Sequence, residues 1–376
     1  MDRTDSVAER MVSSGQIVVT CSGSVGKTAL AYAPHENTLI SHDLLRVTPH
    51  QSDTWGWVFA YLRSQQAISM MGAAQYGHII KHLEPEHLLA LPIPTPTHER
   101  LAEFDVAARG ILTRRNEAWR LQRESESIFS EAIGAVASSE RKSTGFEVKS
   151  RELFSGRRRL EGSYHSPAAT AILDRFHTAK LPTQTLAQVT DGVWWMTRFK
   201  RVFGENGAPY LSADELFSVN PPITKRVMLE QAENAEDFFV KDGWLVMACS
   251  GQTYGLNGSV ALMTKWHERA FLSHDLVRIV PKTDVVRPGY LYTALGHPTL
   301  GRPLVIRQAY GTSIPHLEPA DIAATPIVRL SNDLETQIAD RAEKAVSLRA
   351  EADQLENDIA DKATELVDQH LSGTSI

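Results

Sequence analysis

The chain has 376 residues, 42% of them hydrophobic and 22% charged, which is the make-up of a folded protein with two or three domains. No run of eighteen apolar residues is present and the N-terminal MDRTDSVAER has no apolar core, so neither a membrane span nor a conventional signal peptide is expected, and a cytoplasmic location is. The net charge of −6 sits unevenly: residues 331–376 hold four Lys/Arg against eleven Asp/Glu, whereas residues 151–230 hold eleven against eight and leave a mildly basic region free to meet phosphates.

In chain order, the first predicted element is a strand at Ile17-Val18-Val19, leading into Cys21-Ser22-Gly23 and then Gly26-Lys27-Thr28. The last three residues fit the end of a phosphate-binding loop, G-x-x-x-x-G-K-[S/T], but Cys21 stands where its first glycine belongs. LISHDLLRV (39–47) reads as a strand, QYGHIIKHLEP (75–85) as a turn region, and LPIP (91–94) as a short strand. Residues 97–137 contain no proline, and Leu101, Phe104, Ala108, Ile111, Ala118, Leu121 and Ile128 approximate one helical stripe. Residues 138–150 are a polar linker. Residues 151–243 begin partly helical and continue through TDGVWWMTRFKRVF and GAPYLSADELFSVNPPITKRV, which look like short strands and turns. A second proline-free helix is expected over 331–371, where Leu334, Ile338, Ala345, Leu348, Ala352, Leu355, Ile359 and Leu366 recur at three- and four-residue steps. Each helix would be a rod of about 60 Å at 1.5 Å per residue, and two such apolar stripes are natural partners.

Four blocks recur in order. VVTCSG (18–23) matches VMACSG (246–251), LISHDLLRV matches FLSHDLVRI (271–279), QYGHIIKHLEP matches AYGTSIPHLEP (309–319), and LPIP matches TPIV (325–328). The offsets are 228, 232, 234 and 234, so a duplicated unit is present. The first copy has no counterpart of the roughly ninety residues over 151–243.

The chemistry these blocks suggest is sparse. LVMACSGQTYGLNGSVAL in the second copy keeps the strand and Cys-Ser-Gly but not Gly-Lys-Thr, which makes the turn structural and places Lys27 on a variable loop. An NTPase using Lys27 and Thr28 is the alternative from a different functional class. Asn220-Pro221-Pro222-Ile223 resembles an amino-methyltransferase tetrapeptide without its aromatic and reads as a proline turn. Ser41-His42-Asp43 and Ser273-His274-Asp275 are adjacent in sequence and cannot converge as a triad on a strand, so His and Asp are expected to satisfy backbone groups there. His82 and His316 are assigned to the turn into the last strand. No catalytic centre, metal site or cofactor is expected. The segment from Val193 to Arg201 interleaves Trp195 and Phe199 with Arg198, Lys200 and Arg201, which suits either phosphate and base contacts or an ordinary strand with solvated cations. Gln75 in the first copy, and Arg302, Arg307 and Gln308 in the second, precede the shared Tyr-Gly; together with Lys27 and Tyr254 they complete the candidate DNA-contacting set.

The order of a β-rich unit ending in Tyr-Gly, His-Leu-Glu-Pro and a Pro-Ile strand, followed by a long helix and then repeated, resembles the specificity subunit of type I restriction–modification systems. The likeness covers most of the chain. It implies an α+β fold of two target-recognition domains, 1–96 and 151–330, each followed by a spacer helix, with the helices pairing as an antiparallel coiled coil. It implies a non-enzymatic subunit that reads a bipartite site in double-stranded DNA and carries two methyltransferase subunits and a motor/nuclease subunit. The shortened first unit departs from that pattern. It lacks counterparts of Arg159 to Tyr164 and of the Trp-Trp-x-x-Arg-Phe-Lys-Arg run, which suggests reading of one half-site only, a missing part supplied by another polypeptide, or a related phage-defence complex.

Overall fold

The computed structural model describes Val7 and residues 11–74, 82–136, 145–154, 158–221 and 223–373. The fold mixes helix with several small sheets, as expected for the α+β class. Two compact units emerge, residues 1–120 with 348–376, and residues 121–347, and the division runs through both long helices.

In the first unit β1 (Met11–Val12) pairs antiparallel with β4 (Thr38–Leu39). β2 (Ile17–Thr20) lies between β3 (Thr28–Leu30) and β5 (Leu44–Val47), antiparallel to both, with Val18 opposite Ala29 and Arg46. Strand alternation sends Ile17 and Val19 inward, where they share a core with helix α1 (Trp55–Leu62) and Met71 of α2 (Gln65–Ala74). Helix α3 (Pro85–Leu89) follows, started by a proline whose missing N–H costs nothing at the first helical position. The near ends of α4 (His98–Ile133) and α11 (Asn332–Leu371) close this core with Phe104, Ile111, Ile359 and Leu366. Gly110 lies against Leu355 and Arg114 against Glu351, so the two helices run antiparallel here. Arg115, almost fully buried, donates to Asp353 (2.9 Å) and Glu356 (2.5 Å), and Arg63 reaches Glu356 at 2.9 Å. Charges this deep persist when they are paired or fully hydrogen-bonded.

The second unit begins with α5 (Ser150–Leu153), α6 (Pro167–Thr178), β6 (Thr183–Thr185) and β7 (Thr190–Trp194). A lobe follows, containing β8 (Phe203–Leu211), α7 (Ala213–Leu216) and β9 (Arg226–Val227). Then come β10 (Leu245–Ala248), β11 (Val260–Leu262), β12 (Phe271–Leu272), β13 (Leu276–Pro281), α8 (Pro288–Gly296), α9 (Arg302–Ile306), α10 (Pro319–Ala323) and β14 (Pro326–Val328). The main sheet runs β11-β10-β13-β7 and is antiparallel throughout. β10 is central, and all four of its residues are buried. β6 pairs with β14, and β12 joins the lobe sheet in parallel with β8. Phe199, Tyr210, Phe238 and Phe271 fill the lobe's core, with Phe238 stacked on Phe271 at 4.4 Å.

Thus β3-β2-β5 in the first unit repeats β11-β10-β13 in the second. The structure also pairs elements whose sequences look unrelated. Gly56 of α1 and Gly289 of α8 each press on a long helix: a Cβ would sit 2.4 Å from the Phe104 carbonyl in one case and 2.6 Å from the Ala339 carbonyl in the other. Only glycine lets these backbones approach so closely.

The long helices expected over 97–137 and 331–371 are found at His98–Ile133 and Asn332–Leu371. Residues 137–144 lie outside the described residues, as do Gln75 and the Tyr76-Gly77 pair. His82 and His316 are expected in the turn into the last strand. Instead each makes a bridge, to Ser22 and Ser250 respectively, and a short helix intervenes before 91–94 and β14. The reason is the Glu-Pro step, which presets a helical first turn. Among the described residues no helix is long and apolar enough to cross a membrane.

Candidate nucleic-acid interface

The repeated blocks converge on one junction in each unit. In the second, the Cys249 amide donates to the Asp275 carbonyl (3.2 Å) and the Leu317 amide to the Cys249 carbonyl (2.8 Å). In the first, Cys21 donates to Asp43 and Leu83 to Cys21, both at 2.8 Å. Ser273 Oγ donates to Asp275 Oδ2 and accepts from the Asp275 amide, each at 3.2 Å, and Ser41 and Asp43 make the same two bonds at 2.8 and 3.2 Å. These are serine-capped turns before β13 and β5, which explains the repeated Ser-x-Asp without a triad. The serine hydroxyl bonds the aspartate and not the histidine, so no nucleophile–base pair forms. Burial pushes the Cys249 thiol up to about 12, which makes it a packing group.

Gly-Lys-Thr belongs to this junction too. Gly26 and Gly258 both take positive φ (86° and 76°) and lie against the side chains of Met71 and of Val305 with Ile306. A four-residue insertion in the second copy hides this equivalence in the sequence. After Gly26 comes strand β3, where a phosphate loop requires a helix N-terminus. Thr28 is buried and its hydroxyl donates to the Leu62 carbonyl (3.4 Å), while Lys27 is exposed at the end of the hairpin turn. The phosphate-loop alternative fails on backbone geometry.

Beside the second junction lies a cleft of about 360 Å³, lined by Trp195, Met196, Thr197, Arg198, Cys249, His274, Asp275, Tyr310 and His316. Two candidates, Trp195 and Arg198, are brought together there. The chain leaves the sheet after Trp194, so residues 195–202 form a loop. Phe199 turns inward between Phe238 and Phe271, while Arg198, Lys200 and Arg201 remain exposed. The run is thus a loop with Phe199 packed inward and its cations exposed, where the strand reading expected Trp195 to pack inward as well. Arg201 Nη1 donates to Tyr210 Oη at 3.1 Å, and that bond raises its pKa. Burial lowers the His274 pKa, and the Arg201, Arg198 and Arg278 charges lower it further against the pull of Asp275.

The remaining candidates fall into two groups. Tyr254 is exposed at the tip of loop 252–257. Arg302 holds that loop by donating to Ser259 Oγ (2.8 Å) and to the carbonyls of Thr253 (3.1 Å), Gly255 (2.6 Å) and Asn257 (3.1 Å). Arg307 stacks over Tyr164 at 4.4 Å, and burial lowers its pKa. The Gln308 carbonyl accepts from Arg159 Nη1 at 3.0 Å, and Arg159 also lies over Tyr164 and Tyr310. Arg302, Arg307 and Gln308 thus anchor the Arg159–Tyr164 segment and the Tyr254 loop.

The chain is similar to type I specificity subunits. The S subunit of a type I restriction–modification system from M. genitalium overlays with a TM-score of 0.33 at 14% identity, covering 95% of this chain and 82% of that one. HsdS from Thermoanaerobacter tengcongensis gives 0.31 at 14%, covering 96% and 84%. A chain from a study of complex assembly and conformational transition of the type I R-M system gives 0.31 at 15%, covering 94% and 82%. No protein-family model and no curated protein matches.

Four cleft residues, His274, Asp275, Tyr310 and His316, were read as purely structural from sequence. Their backbones do build the junction, and their side chains also face the cleft. The available signal was the repeat itself: residues fixed in order around a turn mark where three segments meet.

Proposed function

We propose that this chain is a non-catalytic DNA sequence-recognition subunit of a type I restriction–modification complex, directing methyltransferase and motor/nuclease subunits to its site. The observation that carries this reading is the 195–201 loop. It places Trp195 and Arg198 in the lining of the cleft and leaves Lys200 and Arg201 exposed next to them in the chain, while Phe199 anchors it inward. Cations of this kind supply phosphate contacts, and polar groups on a rigid junction suit reading of base edges. The second unit bears this surface complete and is the unit assigned to base readout.

Selection from random duplexes, by the purified chain alone and together with type I methyltransferase subunits, tests the reading. An enriched sequence under either condition is expected, and a single contiguous element is the outcome if only the second unit reads DNA. Failure to enrich any sequence under both conditions would sink the proposal.

A further inference from the structure

Between their equivalent glycines the two junctions carry loops of different length. Gly23 and Gly26 enclose Ser24 and Val25, whereas Gly251 and Gly258 enclose Gln252 to Asn257. The longer loop lifts Tyr254 to a tip where it is 88% exposed, with the partly exposed Leu256 two residues on. A second loop, 311–315, is closed at its base by the Tyr310 and His316 amides, each donating to the other's carbonyl, at 3.0 and 2.8 Å. It leaves Ile314 58% exposed. Both loops spring from the cleft, since Cys249, Tyr310 and His316 line it and lie at their feet.

Polar groups fasten the two loops to each other. The Pro315 carbonyl accepts from the Gly251 amide (3.1 Å) and from Nδ2 of fully buried Asn257 (2.9 Å), which also donates to the Gly251 carbonyl at 2.9 Å. Gln252 Nε2 donates to the Ser313 carbonyl at 2.9 Å, and Arg302 grips the carbonyls of Thr253, Gly255 and Asn257. A buried amide and a partly buried guanidinium are thus committed to holding two apolar tips in water. Such exposure forfeits burial free energy, whereas a side chain already fixed in its bound geometry loses little entropy on binding.

Tyr254, Leu256 and Ile314 are too few for a protein face: a standard interface takes roughly 800 Å² from each partner, well beyond what three side chains supply. They suit a base step. Arg198 lines the same cleft, which brings a cation for phosphate to the foot of these loops. We infer that Tyr254 and Ile314 form an apolar wedge that partly unstacks one base step of the bound duplex, with the Tyr254 ring stacked on a base. Apolar side chains inserted at a step kink the duplex, and an aromatic ring stacks on any base. Pyrimidine–purine steps unstack at least cost, so the wedge selects such a step without a hydrogen bond to it. This inference rests on the DNA-recognition reading and adds to it a source of specificity whose ring the shorter first-unit loop lacks.

The test uses the full chain and, as probe, the duplex it enriches from a random pool, with 2-aminopurine replacing the adenines of both strands one at a time. Unstacking raises the fluorescence of this base. Binding should raise it at one pyrimidine–purine step. Tyr254→Ala should remove the rise and weaken binding about tenfold, within the range for one stacked base, while the salt slope and the melting temperature stay unchanged. Tyr254→Phe, which keeps the ring, should keep the rise. A duplex bound with no rise at any position, or a rise that survives Tyr254→Ala, overturns the wedge and leaves the recognition reading standing. Failure to enrich any duplex takes both down. If Tyr254→Ala leaves DNA binding intact and instead prevents association with type I methyltransferase subunits, the tip is a protein contact and the inference is wrong.

Discussion

Trp57 and Tyr290 stand at equivalent positions and make the same hydrogen bond with different atoms. The Trp57 indole N–H donates to the Pro94 carbonyl at 2.8 Å, and the Tyr290 hydroxyl donates to the Val328 carbonyl at 2.6 Å. Each ties the helix after the junction, α1 or α8, to the segment that leads into a long helix.

Tyr290→Phe should therefore destabilise the second unit by about 1–2 kcal/mol, since it strands a buried carbonyl while keeping the ring. Burial already holds the phenol well above its ordinary pKa, so the group is neutral and its loss removes only the bond. Urea unfolding followed by a probe local to that unit checks the magnitude.

Gly289→Ala should cost more. The new methyl would meet the Ala339 carbonyl at 2.6 Å and the Ala339 Cα at 3.0 Å, and neither backbone atom can yield without moving helix α11. Overpacking of this kind costs about 1–3 kcal/mol or more. A fall in melting temperature larger than that of an alanine substitution at exposed Gly162 is the expected result.

His297 predicts acid sensitivity. The Thr299 amide donates to its Nδ1 at 3.3 Å, so in that tautomer Nε2 carries the proton given to the Glu126 carbonyl at 3.2 Å. Burial lowers its pKa to about 4, with the Arg123 charge as a second cause, and burial does the same to His267. The unfolded chain takes up protons near pH 6.5 and the native chain does not, so stability is full above that pH and falls between about 6.5 and 4. By linkage each histidine contributes up to about 3 kcal/mol over that window. His297→Gln should flatten the pH profile of unfolding free energy, and an unchanged slope would contradict the assignment.

On DNA, the exposed and the anchoring arginines should behave differently. Arg198→Ala and Lys200→Ala should each lower the slope of log K against log salt by roughly one, with little change in preferred sequence. Arg302→Ala removes three bonds to carbonyls of loop 252–257 and one to Ser259 just after it, so sequence preference should relax while the salt slope stays nearly constant. Fluorescence titrations across a salt series separate the two.

The duplication and both long helices were legible because they rest on order and periodicity, which need no tertiary information. Gly26 and Gly258 were not recognised as equivalents, since an insertion shifts their offset from 228 to 232 and their neighbours differ. Trp57 and Tyr290 escaped for a similar reason: the geometry conserves a donor position, and sequence shows only two different aromatics. Arg302 and Arg307 were legible as polar residues beside Tyr-Gly, but their anchoring role depends on carbonyls and a ring from distant segments. Helices α3 and α10 are a single turn or so long, too short for periodicity to register.

The passage of the unit boundary through the long helices bears on the order of synthesis. Residues 348–376 close the first unit, and Gln66 bonds Thr364 and Asp368 across nearly the full length of the chain. The second unit draws only on residues 121–347 and can finish folding as soon as these leave the ribosome. The unit translated first is completed last, and until then the apolar faces of α1 and of the early part of α4 wait for the arrival of α11.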